Sequence, residues 1–280
     1  MDKSIIDQFI INSLHEDVGD GDHTSLATIK AGTKAKARLL VKDQGILAGV
    51  ELAVEIFYSI DPGLKVDLFL TDGAKIKPGD IAFEVDGDAQ SILKAERLVL
   101  NCMQRMSGIA TKTREIVDLL EGTETKVLDT RKTTPGMRYL EKWAVRIGGG
   151  VNHRIGLYDM ILIKDNHVDY AGGIKAAITR AREYLALENK QLAIEIEVRD
   201  FDELEQVLQT GGVNRIMLDN FNTDNLRKAI QIIGGRYITE ASGGITVESI
   251  RNYAECGVDY ISVGALTHSV KSLDLSLKAM

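Results

Sequence analysis

The second half of the chain alternates between two kinds of segment, and this alternation limits the possible folds more than any other feature. Short apolar segments typical of buried strands occur at 125–129, 159–163, 192–198, 214–219, 236–240 and 258–263. Helical patterns lie between the last five of them, at 171–187, 200–210, 223–233 and 246–255. Because strand–helix–strand repeats place consecutive strands parallel in one sheet, we expect an α/β fold. Six clear strands are fewer than the eight of a closed barrel, so an open or smaller α/β barrel fits better.

The first hundred residues carry a different pattern, which predicts a separate, small α+β unit. Helices are expected at 2–16 and 49–60, strands at 34–42, 64–70 and 81–86, and a turn-rich loop at EDVGDGDHTS (16–25). A long helical pattern from Ser91 to about Leu120, interrupted at Ser107-Gly108, leads into the alternating half. We therefore expect an N-terminal domain at 1–108 and a barrel domain at 109–268. A tail at 269–280, with a helical stretch at Leu273–Ala279, is expected to return to the first domain.

Composition excludes several classes of protein. The net charge of -7 argues against a nucleic-acid binder, which usually has a basic surface. The N-terminus does not match a signal peptide, and no apolar run approaches the ~20 residues of a membrane span. Cys102 and Cys256 fit no metal or redox spacing, so we expect two buried thiols in a reducing compartment. A cytoplasmic protein that binds neither nucleic acid nor membrane is the resulting expectation.

One segment has a positive net charge although the whole chain is acidic. Between Lys126 and His167 the chain carries eight Lys or Arg residues and four acids. A solvated surface of mixed charge is the plain interpretation, and a focused anion site is the sharper one. Gly148-Gly149-Gly150-Val151-Asn152-His153-Arg154 lies within this stretch and matches no dinucleotide or Walker fingerprint. His153 beside Arg154 favours the anion site, because Arg binds carboxylates and phosphates in a bidentate manner.

Charged residues and glycines follow the predicted barrel strands, where α/β barrels place their active sites. Glu195 and Glu197 alternate with apolar residues, which predicts that both carboxylates point into the barrel. A structural ion pair would explain either one. Asp219 ends the next strand, and two neighbouring carboxylates suit Mg²⁺, so Glu197 and Asp219 are the predicted metal ligands. Glycine-rich turns after the last two strands, at Ser242-Gly243-Gly244 and at Gly264, predict phosphate binding.

Ten segments of the sequence resemble the quinolinate phosphoribosyltransferase family, in the family's order and over essentially the whole chain. They are EDVGDGDHTS (16–25), AERLVLN (95–101), SGIAT (107–111), DTRKTTPGMR (129–138), GGGVNHRIGL (148–157), ILIKDNH (161–167), EIEV (195–198), IMLDNF (216–221), EASGGI (240–245) and ISVGALTHS (261–269). The resemblance implies an N-terminal α/β sandwich, an open α/β barrel of about six strands, and a homodimer or larger assembly of dimers. It implies a reaction in which quinolinate and phosphoribosyl pyrophosphate yield nicotinate mononucleotide, pyrophosphate and carbon dioxide, for de novo NAD biosynthesis with Mg²⁺.

The same resemblance assigns roles to residues. It implies catalytic roles for Lys132, Lys164, Glu197 and Asp219. It implies that quinolinate's carboxylates are held by Arg131, Lys132, Thr133, His153 and Arg154, with Lys164 contacting both substrates. Ser242, Gly243, Gly244 and Gly264 match the loops that bind the 5′-phosphate. Arg97 is expected to reach the pocket of the neighbouring subunit, and Arg105 is a weaker match.

Three rival functions remain open at this point. A paralogue of the same fold with another substrate, such as a molybdenum-transport-associated relative or a nicotinate-type phosphoribosyltransferase, is the closest. A barrel isomerase or synthase acting on a sugar phosphate would explain the phosphate loops but not the cations after the first two strands. A non-enzymatic anion binder would gain nothing from inward carboxylates, which are costly to bury without a partner.

Overall fold

The structure, a computed structural model, describes residues 3–280. Its helices are α1 (Lys3–Val18), α2 (His23–Thr28), α3 (Val50–Ile60), α4 (Ala89–Leu119), α5 (Arg138–Ile147), α6 (Asp165–Ala171), α7 (Ile174–Leu187), α8 (Phe201–Thr210), α9 (Thr223–Ile233), α10 (Ile250–Ala254) and α11 (Ala265–His268). Its strands are β1 (Lys34–Val41), β2 (Gly45–Ile46), β3 (Lys65–Leu68), β4 (Lys75–Ile76), β5 (Ile81–Asp88), β6 (Lys126–Leu128), β7 (Ile161–Ile163), β8 (Ile194–Val198), β9 (Arg215–Asp219), β10 (Ile238–Ser242), β11 (Tyr260–Ser262) and β12 (Leu275–Ala279). Within residues 3–280, no helix has an apolar stretch long enough to cross a membrane.

These elements form two compact units. Unit 1 contains the described residues up to Arg114 together with Thr133–Gly149 and Leu266–Met280. Unit 2 contains Glu115–Lys132 and Gly150–Ala265. The segment that carries α5 therefore belongs to unit 1, although it lies between two strands of unit 2 in the sequence.

Unit 1 is built on a four-stranded antiparallel sheet in the order β12–β1–β5–β3. Alternate residues of β1 are buried, and Leu39 and Val41 are almost fully enclosed, as expected for a sheet with one covered face. Phe83 of β5 meets Phe57 of α3 edge-to-face, with ring centroids 5.8 Å apart. The helices and this sheet confirm the mixed α/β class of the N-terminal part.

The last strand corrects one prediction. The stretch Leu273–Ala279, predicted to be helical, contains β12, which pairs antiparallel with β1 in the register Leu39↔Leu277. Leu275 and Leu277 are buried while the residue between them is partly exposed. Buried residues therefore recur at every second position, as in a strand, and not every 3.6 residues, as in a helix. A leucine at every second position over so few residues does not distinguish a strand from a helix by spacing alone.

Helix α4 corrects a second prediction, because it runs through Ser107-Gly108 without a break. Ser107 is fully buried, its hydroxyl oxygen accepts the N–H of Ala48, and the hydroxyl donates to the carbonyl of the same residue. A Cβ on Gly108 would lie 2.3 Å from the carbonyl oxygen of Lys271. These two small residues therefore allow backbone segments to approach the helix closely and do not interrupt it.

Unit 2 contains the predicted parallel sheet. Six strands pair in the order β6–β11–β10–β9–β8–β7, and every pair is parallel. Val151 forms a further parallel bridge to Leu128 of β6. Asp200 and Asn222 cap the helices α8 and α9, since each side chain accepts a backbone N–H of the first turn. The prediction of a six-stranded α/β barrel unit is confirmed.

Three local predictions need adjustment. The loop predicted at 16–25 is shorter, because α1 continues to Val18 and Asp22 caps α2 through the N–H of Ser25. The helix predicted at 171–187 is divided into α6 and α7 at Gly172-Gly173. Helix α5, which was not predicted, covers Arg138–Ile147.

Candidate active site

The register of the parallel sheet brings the carboxyl ends of the strands to one edge. Ser242 pairs with Asp219 across β10 and β9, and Ile163 pairs with Ile196 across β7 and β8. Lys164, Glu197 and Asp219 consequently lie at the same edge of the sheet. Three of the predicted site residues thus meet through backbone pairing, before any side-chain contact is considered.

Lys164 and Glu197 form an ion pair at this edge, with Nζ 3.3 Å from Oε2. Glu197 is buried, whereas the Lys164 side chain is about half exposed. Burial raises the pKa of Glu197, Lys164 lowers it, and the negative charge of Asp219 raises it again. The two carboxylates therefore lie close enough to repel each other, and a cation between them would relieve that repulsion.

Asp219 is connected to the glycine-rich turn through the next residue. The side-chain amide of Asn220 donates to Oδ2 of Asp219, and its backbone N–H donates to the carbonyl of Ser242 over 2.8 Å. A Cβ on Gly243 would lie 2.2 Å from Oδ1 of Asn220, so only glycine fits against this side chain. The predicted phosphate turn, Ser242-Gly243-Gly244, is packed against the end of β9.

A second cluster lies deeper in the sheet of unit 2. Nε2 of His153 is 2.9 Å from Oε2 of Glu195 and 3.5 Å from Oε2 of Glu240. Arg215 lies 2.9 Å from Glu240, 4.0 Å from Glu195, and over the ring of Tyr260 at 4.7 Å. Two buried carboxylates thus face two groups that can carry positive charge, which balances the cluster.

The cluster changes the protonation of its members. Burial lowers the pKa of His153, but Glu195 and Glu240 outweigh burial and raise it to about 9. Burial raises the pKa of Glu195 to about 7, whereas contacts with His153 hold the pKa of Glu240 below its ordinary value in spite of burial. Nδ1 of His153 faces the backbone N–H of Arg154 at 2.8 Å, which favours a neutral ring. Two carboxylates interact with the ring more strongly than one peptide N–H, so the charged ring prevails.

His153, Glu195 and Glu240 converge closely enough to hold a metal ion. Their chemistry argues against one. A ring that is charged, or that accepts the Arg154 N–H at Nδ1, carries a proton on Nε2 and has no lone pair there for a metal. We therefore interpret the cluster as an ion-pair network that holds the His153 side chain.

Asp129 fixes the backbone of the segment that carries His153 and Arg154. Its fully buried carboxylate accepts the N–H of His153 at 2.9 Å and the side-chain amide of Asn152. Asp129 directly follows β6, so the end of this strand fixes the position of the loop that contains Asn152 and His153. This interaction explains one of the four acids in the basic stretch between Lys126 and His167.

Arg131 and Arg154 are two cations of unit 2 that influence each other. Burial and the positive charge of Arg131 both lower the pKa of Arg154, so the two guanidinium groups lie close to each other. Nη1 of Arg154 donates to the carbonyl of Met160, while its buried Nε has no partner among the described residues. Neighbouring cations with unsatisfied donors are typical of a site for a carboxylate or a phosphate.

Comparison with known proteins identifies the family. A model described as the N-terminal domain of quinolinate phosphoribosyl transferase matches residues 22–107, and one described as its C-terminal domain matches residues 109–278. The chain belongs to the quinolinate phosphoribosyltransferase family.

Members of the family with curated names are similar over nearly the whole chain. The chloroplastic nicotinate-nucleotide pyrophosphorylase (carboxylating) of Oryza sativa subsp. japonica is 47% identical over 96% of this chain and 76% of its own length. The probable nicotinate-nucleotide pyrophosphorylase of Bacillus subtilis is 43% identical over 98% of this chain and 92% of its own. The solved nicotinate-nucleotide pyrophosphorylase of Francisella tularensis is 39% identical, with a TM-score of 0.92 over 100% of this chain and 98% of that one.

Two residues that the family resemblance singles out lie in unit 1. Arg97 is an exposed side chain on α4. Thr133 is partly exposed, and its hydroxyl oxygen accepts from Nε of Arg138 at 2.9 Å. Their roles in the family's chemistry stay predictions. Lys132 and Gly264 belong to unit 2, and the roles expected for them stay predictions too.

Arg105, the weaker family match, is held within unit 1. Its guanidinium donates to the fully buried carboxylate of Glu141 at 2.8 Å and to the carbonyl of Thr267 at 2.6 Å. Glu141 also accepts the N–H of Thr134. These bonds join α4, α5 and the segment before α5, so Arg105 has a structural role whether or not it also reaches a ligand.

Sequence reasoning gave no role to several residues of the site. Asn220, Arg215 and Glu240 occupy strands or strand ends, and Glu240 was noted only for its position after the fifth strand. The sequence feature that could have identified Arg215 is the alternation of Glu195 and Glu197 with apolar residues. Because this alternation points both carboxylates into the barrel, each needs a positively charged partner there. Arg215, at the start of β9, is the inward cation that this requirement points to.

Proposed function

We propose that this chain transfers the phosphoribosyl group of phosphoribosyl pyrophosphate to quinolinate, forming nicotinate mononucleotide, pyrophosphate and carbon dioxide for NAD biosynthesis. The family match over both domains carries this proposal. The sheet edge of unit 2 supports it, because cations, two carboxylates and a glycine-rich turn follow neighbouring strands there. These are the groups needed to bind a dicarboxylate and a sugar phosphate together.

Quinolinate is proposed to lie against the cations that follow β6 and precede β7. Arg131 and Arg154 repel each other, and the buried Nε of Arg154 lacks a partner among the described residues. A ligand with two adjacent carboxylates would neutralise both guanidinium groups, whereas a monocarboxylate would leave one unpaired. His153 is proposed to position Arg154 at this site, because its Nδ1 faces the backbone N–H of Arg154 and its ring is held by Glu195 and Glu240.

The phosphoribosyl half is proposed to lie at Glu197, Asp219 and the turn after β10. Gly244 has open space around its Cα, so a phosphate could approach the backbone N–H groups of the turn closely. Glu197 and Asp219 can accept hydrogen bonds from ribose hydroxyls. Lys164, beside Glu197, is proposed to contact both substrates.

Mg²⁺ is the metal proposed for Glu197 and Asp219. The two carboxylates fit it, since both offer oxygen ligands and the charge of Asp219 raises the pKa of Glu197. When bound with its substrate, the metal would neutralise charge on the departing pyrophosphate. The chain's own residues would then hold the pyridine nitrogen of quinolinate close to the ribosyl carbon that it attacks.

The reaction follows from this arrangement. The bond between the ribosyl carbon and pyrophosphate breaks, the pair of electrons leaves with pyrophosphate, and the pyridine nitrogen forms a bond to the same carbon. The resulting pyridinium stabilises the carbanion left at C2 when carbon dioxide departs, and a proton then replaces the carboxylate. Lys164 and the arginines stabilise the negative charges throughout.

We further propose a homodimer, or a larger assembly of dimers, in which Arg97 enters the partner's pocket. Its exposure on α4 leaves the guanidinium available for such a contact.

A cytoplasmic location is also proposed, supported by two buried cysteines that are free thiols. Fractionation of cells that express the full-length protein would test this location.

The activity is tested by supplying quinolinate, phosphoribosyl pyrophosphate and Mg²⁺ to the purified protein and measuring nicotinate mononucleotide. Nicotinate replaces quinolinate in a parallel reaction. We expect product from quinolinate and little from nicotinate, because a single carboxylate cannot neutralise the guanidinium groups of both Arg131 and Arg154. Equal use of both acids would contradict the proposed dicarboxylate site, and no product from either would contradict the activity.

A further inference from the structure

Asn220 has a left-handed backbone conformation, which is uncommon for a residue with a side chain. Its φ is 57°, and Asn189 is the only other non-glycine residue with a positive φ among residues 3–280. The left-handed region is unfavourable for a residue with a Cβ, although Asn tolerates it better than most. Asn220 is exposed, so no gain from a buried side chain offsets this strain. Strain of this kind is often kept where it places functional groups.

The strained conformation directs three groups of Asn220 at two parts of the proposed phosphoribosyl site. The side-chain amide donates to the carboxylate of Asp219, and the backbone N–H donates to the carbonyl of Ser242. The side-chain oxygen lies against the Cα of Gly243, where a Cβ would come within 2.2 Å of it. One residue therefore contacts both the carboxylate at the end of β9 and the turn after β10.

We propose that Asn220 is a positioning residue for the phosphoribosyl substrate. It acts through Asp219, whose carboxylate it orients, and through the turn Ser242-Gly243-Gly244, which it holds against the end of β9. Its hydrogen bonds within the described part of the chain go to Asp219 and Ser242, both in the half of the site proposed for phosphoribose. This inference rests on the function proposed above and deepens it, since it adds a residue to the half of the site that binds ribose and phosphate.

The test variant is Asn220→Gly, because glycine accepts a φ of 57° and removes only the side chain. Asn189→Gly is the matched control, since Asn189 has a φ of 49° and is exposed just after α7. Both variants lose an asparagine side chain and gain the same flexibility in the unfolded chain. A difference between them therefore reports on the contacts of Asn220 alone.

The first measurement is binding of ribose 5-phosphate without metal, by calorimetry. We expect Asn220→Gly to weaken it about tenfold or more, as loss of a hydrogen bond to a charged group does, with the control unchanged. The second measurement is steady-state kinetics. KM for phosphoribosyl pyrophosphate should rise in Asn220→Gly, while KM for quinolinate and the melting temperature stay close to those of Asn189→Gly.

Two outcomes would overturn the inference. In one, Asn220→Gly and Asn189→Gly have the same ligand affinity and kinetic constants. In the other, KM rises equally for both substrates and the melting temperature falls, which indicates a structural role only.

Asp219→Asn, measured in parallel, separates this inference from the proposed function. If Asp219→Asn impairs use of phosphoribosyl pyrophosphate and Asn220→Gly does not, only the inference on Asn220 fails. If neither variant is impaired, the assignment of this half of the site fails as well.

Discussion

Nε2 of His153 lies 2.9 Å from the carboxylate of Glu195 inside unit 2, and both side chains are buried. This contact, with that to Glu240, raises the pKa of His153 to about 9 although burial lowers it. NMR of histidine-labelled protein should show one of the five histidines titrating near pH 9. His153→Gln should remove that resonance, and Glu240→Gln should shift its midpoint downward. A midpoint at or below the ordinary histidine value would mean that the Arg154 N–H controls the ring instead.

The same shift predicts how stability depends on pH. Because the pKa of His153 in the folded chain is above its unfolded value near 6.5, its stabilising effect is complete below that value and is lost as the pH rises toward about 9. The loss for this one group is on the order of 3 kcal/mol, because each unit of pKa shift corresponds to about 1.4 kcal/mol. Denaturant unfolding between pH 6.5 and 9.5 should therefore show a falling free energy of unfolding. His153→Gln should flatten that slope, and a slope unchanged by the substitution would contradict the assignment.

Replacement of Arg154 by Lys should separate charge from geometry. Lysine keeps the positive charge but loses the planar fork that binds a carboxylate in two places. We expect KM for quinolinate to rise about tenfold or more, in line with loss of a charged hydrogen bond, and KM for phosphoribosyl pyrophosphate to change little. Arg146→Lys, on an exposed arginine of α5, is the control. Unchanged kinetics in both variants would remove Arg154 from the proposed quinolinate site.

Asp219→Asn should weaken Mg²⁺ binding, so that turnover needs more Mg²⁺, while leaving the fold intact. The change is nearly isosteric, and a neutral amide is a poorer ligand for a hard cation. A magnesium titration of initial rates should show a higher half-saturating concentration. Asp224→Asn, which neutralises an exposed acid in the first turn of α9, should behave like the unsubstituted protein. Normal turnover of Asp219→Asn at limiting Mg²⁺ would exclude Asp219 as a ligand.

Arg97 is expected to act in the partner's pocket, which subunit mixing can test. Arg97→Ala and Lys132→Ala should each be inactive. A mixed dimer of the two has one pocket with both substitutions and one with neither, so about half of the activity should return. A mixture of Lys132→Ala with Lys164→Ala is the control, because each pocket of that dimer keeps one substitution and should stay inactive. Absence of recovery after demonstrated subunit exchange would place Arg97 outside the partner's site.

The parallel sheet could be predicted because each strand is a short apolar run between amphipathic helices. Helix α5 could not, because its apolar stripe is interrupted by Glu141 and Lys142, which are both buried. Their burial depends on partners distant in the sequence, such as Arg105 for Glu141. A hydrophobic pattern cannot reveal a helix whose buried face includes charges that are neutralised from elsewhere.

The candidate site also contains features that the sequence pattern predicts and features that depend on contacts between distant residues. The placement of Glu197 and Asp219 at the carboxyl edge of the sheet could be predicted because each lies in or at the end of a strand, while their roles stay predictions. The cluster around His153 depends on the register between β8, β9 and β10, which brings Glu195, Arg215 and Glu240 together. The role inferred for Asn220 depends on one backbone angle, and no spacing of residue types encodes that angle.

The pairing of β12 with β1 has a consequence for folding during synthesis. Ala37 pairs with Ala279, so β1 has only β5 as a partner until residues 275–279 have left the ribosome. All the residues of unit 2 are synthesised in that interval. Until then one edge of β1 is an open template for pairing with another chain. We expect the nascent unit 1 to need protection from such pairing, and its closure to be a late step that waits for a contact between distant parts of the sequence.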